Sequence, residues 1–286
     1  MKNSENRIIF FGLNLDLITV EETLSRISKF IETKQYAQHV VVNVAKLVYA
    51  QSDNKLKEII NSCPLVNVDG AGIILGAKFL GINIPERVTG IDLMQKLIEY
   101  SALKSYRVYF FGAEEEIVKK VVDVYKQKYP ELIVAGYRNG YYSDDEEENI
   151  ALNIKNSKAD ILFVAMGSPK KEVFLNKYNK KMEVPFAMGV GGSFDVVAGK
   201  INRAPKWMQS INSEWIFRLI QEPKRMWKRY TVTNSTFAIM LVKEFLNQKI
   251  NHIQSPLHNL KVPLTPTLSR KGRGRMLISK SKSHKL

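Results

Sequence analysis

Short apolar runs alternate along this chain with longer stretches in which apolar side chains recur every three or four positions. The short runs predict strands at Arg7–Leu13, His39–Val44, Leu65–Val68, Arg107–Phe111, Leu132–Ala135, Ile161–Ala165 and Pro185–Met188. The longer ones predict helices at Val20–Thr33, Ala45–Asn61, Ala71–Leu80, Gly90–Leu103, Glu114–Lys128, Asp144–Asn156, Lys170–Lys177 and Ser213–Ile220. Strands and helices in alternation imply an α/β layered fold around a mostly parallel sheet. Thr89 and Ser143 stand where N-caps are expected, and the acidic turn after Ser143 complements the helix dipole. No internal repeat is present.

Beyond Pro223 the pattern changes to helix-like segments that are basic at first and apolar through Phe237–Val242. From about Asn251 the chain turns to Pro, Ser, Thr, Lys and Arg, a composition that cannot offset its ordering entropy by burial. The expected organisation is therefore a core over residues 1–212, a helical, membrane-proximal appendage over 213–250 and a disordered basic tail over 251–286.

Charge sharpens this division. The chain of 286 residues carries a net +15, yet residues 1–198 hold 25 basic and 25 acidic side chains. Residues 199–230 hold 8 and 2, and residues 251–286 hold 8 and none. A neutral body with one basic end points to an anionic partner met by one face. Cys63 is the sole cysteine, so no intrachain disulfide forms and a reducing compartment is the default. The first residues lack the apolar segment and cleavage site of a leader, and no apolar run approaches the length of a bilayer span. Membrane contact is then expected to be peripheral.

Several places carry candidate chemistry. Asp69, in LVNVDGAGI, ends a strand where the ligand crevice of a parallel sheet lies, and a carboxylate there can take a proton from a hydroxyl. Asp-Gly is equally a common turn dipeptide. Asn43 also stands at a strand end, where a cap role is the plainer reading. The turns GSPKKE at 167–172 and GVGG at 189–192 could offer backbone amides to phosphate oxygens, or serve only to let the chain pass close to a neighbour. The lysines opening the helix after GSP oppose its dipole, so an anion would relieve that cost. Arg218, Arg225 and Arg229 are spaced to fall within about 40° of one another on a continuous helix, as a diphosphate grip or a solvated face. Pro223 is expected to restart that helix. Trp215 and Trp227 flank the arginines and suit an interface between apolar and wet surroundings.

Other chemistries are poorly supplied. Of four histidines, three fall in the tail, which leaves little for a zinc site or a histidine-based triad. There is no phosphate-loop motif, no Asp-x-Asp pair, and no dinucleotide fingerprint, since Phe194 stands where that pattern needs glycine. Neither a metal nor another cofactor is indicated. The rival readings are a nucleotide-dependent oxidoreductase and a nucleic-acid-binding protein using the basic end.

Taken in order, VDGAGI, RVTGIDLM, FFGAEEE, GSPKKE, GVGGSFDVVAG, RAPKWM and EWIFRLIQEPKR resemble the WecG/TagA/CpsF family of bacterial glycosyltransferases, family 26, over roughly residues 8–230. The resemblance implies a Rossmann-like core with a C-terminal appendage that closes the site at the cytoplasmic face of the membrane. It implies inverting, metal-independent transfer of an N-acetylmannosamine-type sugar from a UDP donor to polyprenyl-diphosphate-linked GlcNAc, for a cell-surface polysaccharide or teichoic-acid-type polymer. Asp69 then matches the catalytic base, Asn43 and Arg87 match polar site positions, and Arg218 and Arg225 match appendage arginines that engage the diphosphate. Gly112, Gly167, Lys171, Gly191, Gly192, Lys228 and Arg229 complete the expected substrate-binding set. The partners are the donor, the lipid-linked acceptor and an anionic membrane surface, without nucleic acid; a homo-oligomer is left open. Three positions depart from the family pattern, with Val41 for Thr, Lys171 for Gln and Lys228 for Arg. Lys171 could recognise a carboxylate or phosphate that an amide would not.

Overall fold

The computed structural model describes residues 6–211 and 213–254, with only the backbone of Arg225 and of residues 251–254. The expected tail falls on residues 255–286, outside the described residues, apart from its first positions, which continue a helix through Gln254.

The chain opens with an antiparallel hairpin of β1 (Arg7–Phe10) and β2 (Leu13–Asp16), followed by α1 (Val20–Glu32) and β3 (Ala37–Val42). Helices α2 (Val44–Ser52) and α3 (Asn54–Ser62) lead to β4 (Leu65–Val68), then α4 (Ala71–Phe79) and α5 (Gly90–Lys104) to β5 (Arg107–Gly112). Next come α6 (Glu115–Lys128), β6 (Ile133–Arg138), α7 (Glu147–Asn156), β7 (Ile161–Ala165), α8 (Lys170–Met182) and β8 (Phe186–Gly189). The short α9 (Ser193–Val197) and α10 (Lys206–Ser210) precede α11 (Glu214–Gln221) and α12 (Pro223–Gln254).

Six strands form one parallel sheet in the order β4-β3-β8-β7-β5-β6. Its inner strands are buried at nearly every position because helices cover both faces. Val108, Phe110, Ile161 and Phe163 meet α1, α5 and α6 on one face, while Tyr109, Phe111, Leu162 and Val164 meet α7 and α8 on the other. The helix after β5 and the helix after β7 thus lie on opposite faces. In a parallel sheet this places a ligand crevice beyond the carboxyl ends of those two neighbouring strands.

Two expected elements are divided. The strand expected at Arg7–Leu13 is a hairpin, since Phe11 and Gly12 take φ of 47° and 74° and reverse the chain. Asp16 at its end accepts from Arg7 and Arg26 and from the Val66 amide, which ties the hairpin to β4. The helix expected over Ala45–Asn61 breaks at Asp53, whose side chain caps α3 by accepting from the Leu56 amide at 2.9 Å. Thr89 caps α5 as expected, its Oγ1 accepting from the Asp92 amide at 3.2 Å, and Ser143 opens the short 3-10 turn Asp144–Glu146, its amide and hydroxyl both donating to Glu146 Oε2.

The described residues up to Phe245 form one compact unit. Within it, α12 lies on α4. A Cβ at Gly76 would come within 2.7 Å of the Phe237 ring, and Phe79 stacks at a tilt on Phe245 with centroids 4.8 Å apart. Phe237 is buried with Phe10, Leu47 and Ile73.

Candidate active site

The chain leaves β4 through Asp69 and Gly70. The Asp69 amide donates to Val42 O of β3 at 2.9 Å, and Gly70 takes φ +99°, a conformation that favours glycine. This turn holds the Asp69 carboxyl partly buried at the carboxyl edge of the sheet. The Val88 amide donates to Val68 O at 3.0 Å and brings Arg87 to the same edge. Burial pushes the Asp69 carboxyl above its ordinary range, while Arg87, Arg218 and the Gly90 amide oppose that rise and Glu214 adds to it. The outcome is a carboxylate with raised proton affinity beside two arginines, one from the core and one from α11. Such a group can take a proton from a hydroxyl while the arginines hold an anion.

Glu214, the first residue of α11, organises these cations. Its carboxylate lies 3.6 Å from Arg87 and 3.5 Å from Arg203, and Arg203 reaches Asp92 at 2.6 Å. Ile91, Val196, Asn202, Arg203, Glu214 and Arg218 line a small cleft there.

Asn43 serves first as the N-cap of α2, its Oδ1 accepting from the Lys46 amide at 3.0 Å. Its Cβ lies 3.9 Å from where a Gly70 Cβ would be, which sets it next to the Asp69 turn.

Lys171 belongs to a second group. It is buried at the start of α8, and its ammonium lies 2.9 Å from Glu172 Oε1, with Lys46 at 2.8 Å from the same oxygen. Ser168 Oγ donates to the other Glu172 oxygen at 2.9 Å. Lys170, the other lysine of that turn, instead lies 3.8 Å over the Tyr142 ring.

The glycines differ from one another. Gly112 has a structural reason to be glycine, since at φ +118° a Cβ would meet Ala165 O at 2.4 Å. Gly167 and Gly191 face open space, and Gly192 precedes the short α9. The helix restarts at Pro223 as expected: α11 ends at Gln221 with Glu222 as its cap, so Arg218 lies on α11 and Arg225 and Arg229 lie on α12. An edge contact of Trp215 on Tyr230, 5.9 Å between centroids, joins the two helices. Arg229 is near enough to depress the Lys171 pKa through its charge, and both it and Lys228 are exposed.

Sequence reasoning passed over Lys46, Glu172, Arg203 and Glu214. Glu214 was visible as one of only two acids within residues 199–230, and Arg203 as part of RAPKWM. Nothing local marked Lys46, because its partner lies far along the chain.

The profile of the family described as glycosyl transferase WecG/TagA/CpsF matches residues 8–251. The chain belongs to that family. Two similar proteins bear the name N-acetylglucosaminyldiphosphoundecaprenol N-acetyl-beta-D-mannosaminyltransferase. The one from Bacillus subtilis (strain 168) is 32% identical over 220 residues, 77% of this chain and 84% of its own length. The one from Staphylococcus aureus (strain MW2) is 28% identical over 244 residues, 85% of this chain and 95% of its own. The WecG/TagA/CpsF assignment makes the protein a glycosyltransferase and agrees with the Rossmann-like arrangement of the parallel sheet.

Proposed function

We propose that this glycosyltransferase moves an N-acetylmannosamine-type sugar from a UDP donor to polyprenyl-diphosphate-linked GlcNAc, by direct displacement and without a metal ion. Asp69 removes the proton from the acceptor hydroxyl as its oxygen attacks the anomeric carbon. The carbon–oxygen bond to the diphosphate breaks, UDP leaves and the configuration inverts. Arg87 and Arg218 stabilise the charge that develops on the leaving diphosphate. One observation carries this reading: a half-buried carboxylate at a parallel-sheet edge, held against arginines from two separate parts of the chain. The acceptor follows from the names of the relatives, which act on a diphosphoundecaprenol-linked GlcNAc.

The site works at the inner face of the membrane, with the protein bound peripherally. No helix among the described residues is long and apolar enough to cross a bilayer. Supporting a surface contact, Trp207, Trp215, Trp227 and Ile220 are all exposed on or beside the basic segment.

The test is to incubate the purified protein with a panel of UDP-sugars, a polyprenyl-diphosphate-GlcNAc analogue and a chelator, and to identify the product by mass. A hexosamine added to the acceptor, with inverted configuration, is expected. Asp69→Asn should lower turnover by about a hundredfold or more with the fold retained, the usual scale of a general base. Turnover close to wild type in that variant, or loss of all activity with the chelator, would overturn the mechanism.

A further inference from the structure

Lys171, Lys46 and Glu172 sit together where α2 and α8 leave the carboxyl ends of β3 and β7, and the transfer chemistry above makes no use of them. One carboxylate oxygen stands between two ammonium groups, at 2.8 and 2.9 Å. Both lysines and the glutamate are more than nine-tenths buried. Each ammonium carries three N–H donors, of which Glu172 Oε1 takes at most one from each, so both keep donors for another acceptor. The group therefore holds one positive charge too many for a buried setting, and Arg229 adds another from α12. The lysine stem crosses β8 at Gly189, where a Cβ would come within 2.8 Å of its Cδ and Cε. Beyond it, the turns at Gly167 and Gly191 open onto free space.

We propose that Lys171 and Lys46, completed by Arg229, form an oxyanion subsite separate from the Asp69, Arg87 and Arg218 group, which holds an anionic group of a bound substrate. That anion is a carboxylate on the donor sugar or a phosphate of a substrate diphosphate, and the proposal rests on the transferase reading. Its chemistry is that of a desolvated ammonium pair sharing one carboxylate, a charge deficit that a single oxyanion offsets. The depressed proton affinity of Lys171, at about 8 through burial and the nearby Lys46, is in line with that deficit.

Two measurements test it. In the first, Lys171→Gln and Lys171→Arg are assayed with a UDP-N-acetylhexosamine and with the matching UDP-N-acetylhexosaminuronate. A rise in KM of about tenfold for the uronate alone, rescued by arginine, assigns the subsite to a sugar carboxylate. An equal rise for both donors, again rescued, assigns it to a diphosphate. Unchanged KM for both in a folded variant overturns the proposal. The second uses the wild-type protein and sulfate, whose charge is constant over the range. Sulfate affinity should fall about tenfold from pH 6.5 to 9.5, because Lys171 loses its proton across that range. Failure of sulfate to bind at pH 6.5 overturns the subsite even if no variant folds. Absence of any sugar transfer by the wild type would refute the transferase reading and leave the sulfate result standing.

Discussion

The Asp69 carboxyl is under two opposed influences, burial that raises its proton affinity and the charges of Arg87 and Arg218 that lower it. Replacing Arg218 by Gln removes one lowering charge, so the acid limb of the kcat/KM profile should move to higher pH. Turnover should also fall by about a hundredfold, the scale at which one donor to a developing anion acts. A pH profile of the purified variant checks both; an acid limb that stays in place would mean that Arg218 does not reach the carboxylate. Glu172 shows the opposite balance. Burial pushes its carboxyl up, but Lys46 and Lys171 together outweigh burial and hold it at about 2. A carboxyl held below its ordinary value of 4.5 adds stability above that pH and loses it as pH falls towards 2. Glu172→Gln should flatten stability across that window and destabilise the protein at neutral pH by about 3–5 kcal/mol, since two buried ammonium groups lose their counter-charge. Denaturant titrations at several pH values give the comparison.

At the scale of elements, α12 both contributes to the core and carries basic side chains. Phe237 fills the space left by the missing side chain of Gly76 on α4, and its ring also meets Phe11 edge-on at 6.0 Å. Phe237→Ala should cost about 3–5 kcal/mol, the usual range for removing a buried ring. Thermal unfolding should show a matching fall in midpoint. Because α4 starts at the Asp69 turn and α12 carries Arg229, loss of this contact should also weaken transfer more than an exposed change such as Val232→Ala. Equal effects on activity would mean that the packing of α12 has no bearing on the site.

For the whole molecule, the decisive quantity is the uneven charge. The body up to residue 198 is neutral and the next 32 residues carry a surplus of basic side chains together with all three tryptophans. Basic side chains near an anionic leaflet contribute on the order of 1 kcal/mol each, over a distance of about 8 Å at physiological salt. Binding to anionic vesicles is therefore expected at low salt, with release as salt rises and little binding to neutral vesicles. A chain ending at residue 250 should keep sugar transfer, and one ending at residue 212 should lose both transfer and, with Phe237 gone, stability. Vesicle flotation and transfer assays on the two shortened chains decide this. If only residues 251–286 were needed for binding, the basic segment before them would not be the membrane surface.

The alternation of apolar runs and amphipathic stretches was enough to place all six strands of the parallel sheet along the chain, because strand and helix periodicities are local properties. Thr89 and Ser143 were legible as caps for the same reason, since a cap acts on its own next turn. The hairpin at Phe11 and Gly12 and the break at Asp53 were less legible, as each rests on a local turn that interrupts an otherwise continuous apolar pattern. Asp69 was visible as a candidate from its strand end and its place in VDGAGI. What tertiary structure alone decided is its company. Arg87, Glu214 and Arg218 approach it from later parts of the chain, and Lys46 meets Glu172 only because the crossover order sets β3 two strands from β7, with β8 between them. Sequence spacing carries no information about such encounters, because the electrostatic terms that tune a carboxylate or bury a lysine depend on distance in space and on exclusion of water. Those are properties of the packed sheet and its helices together, not of any one segment.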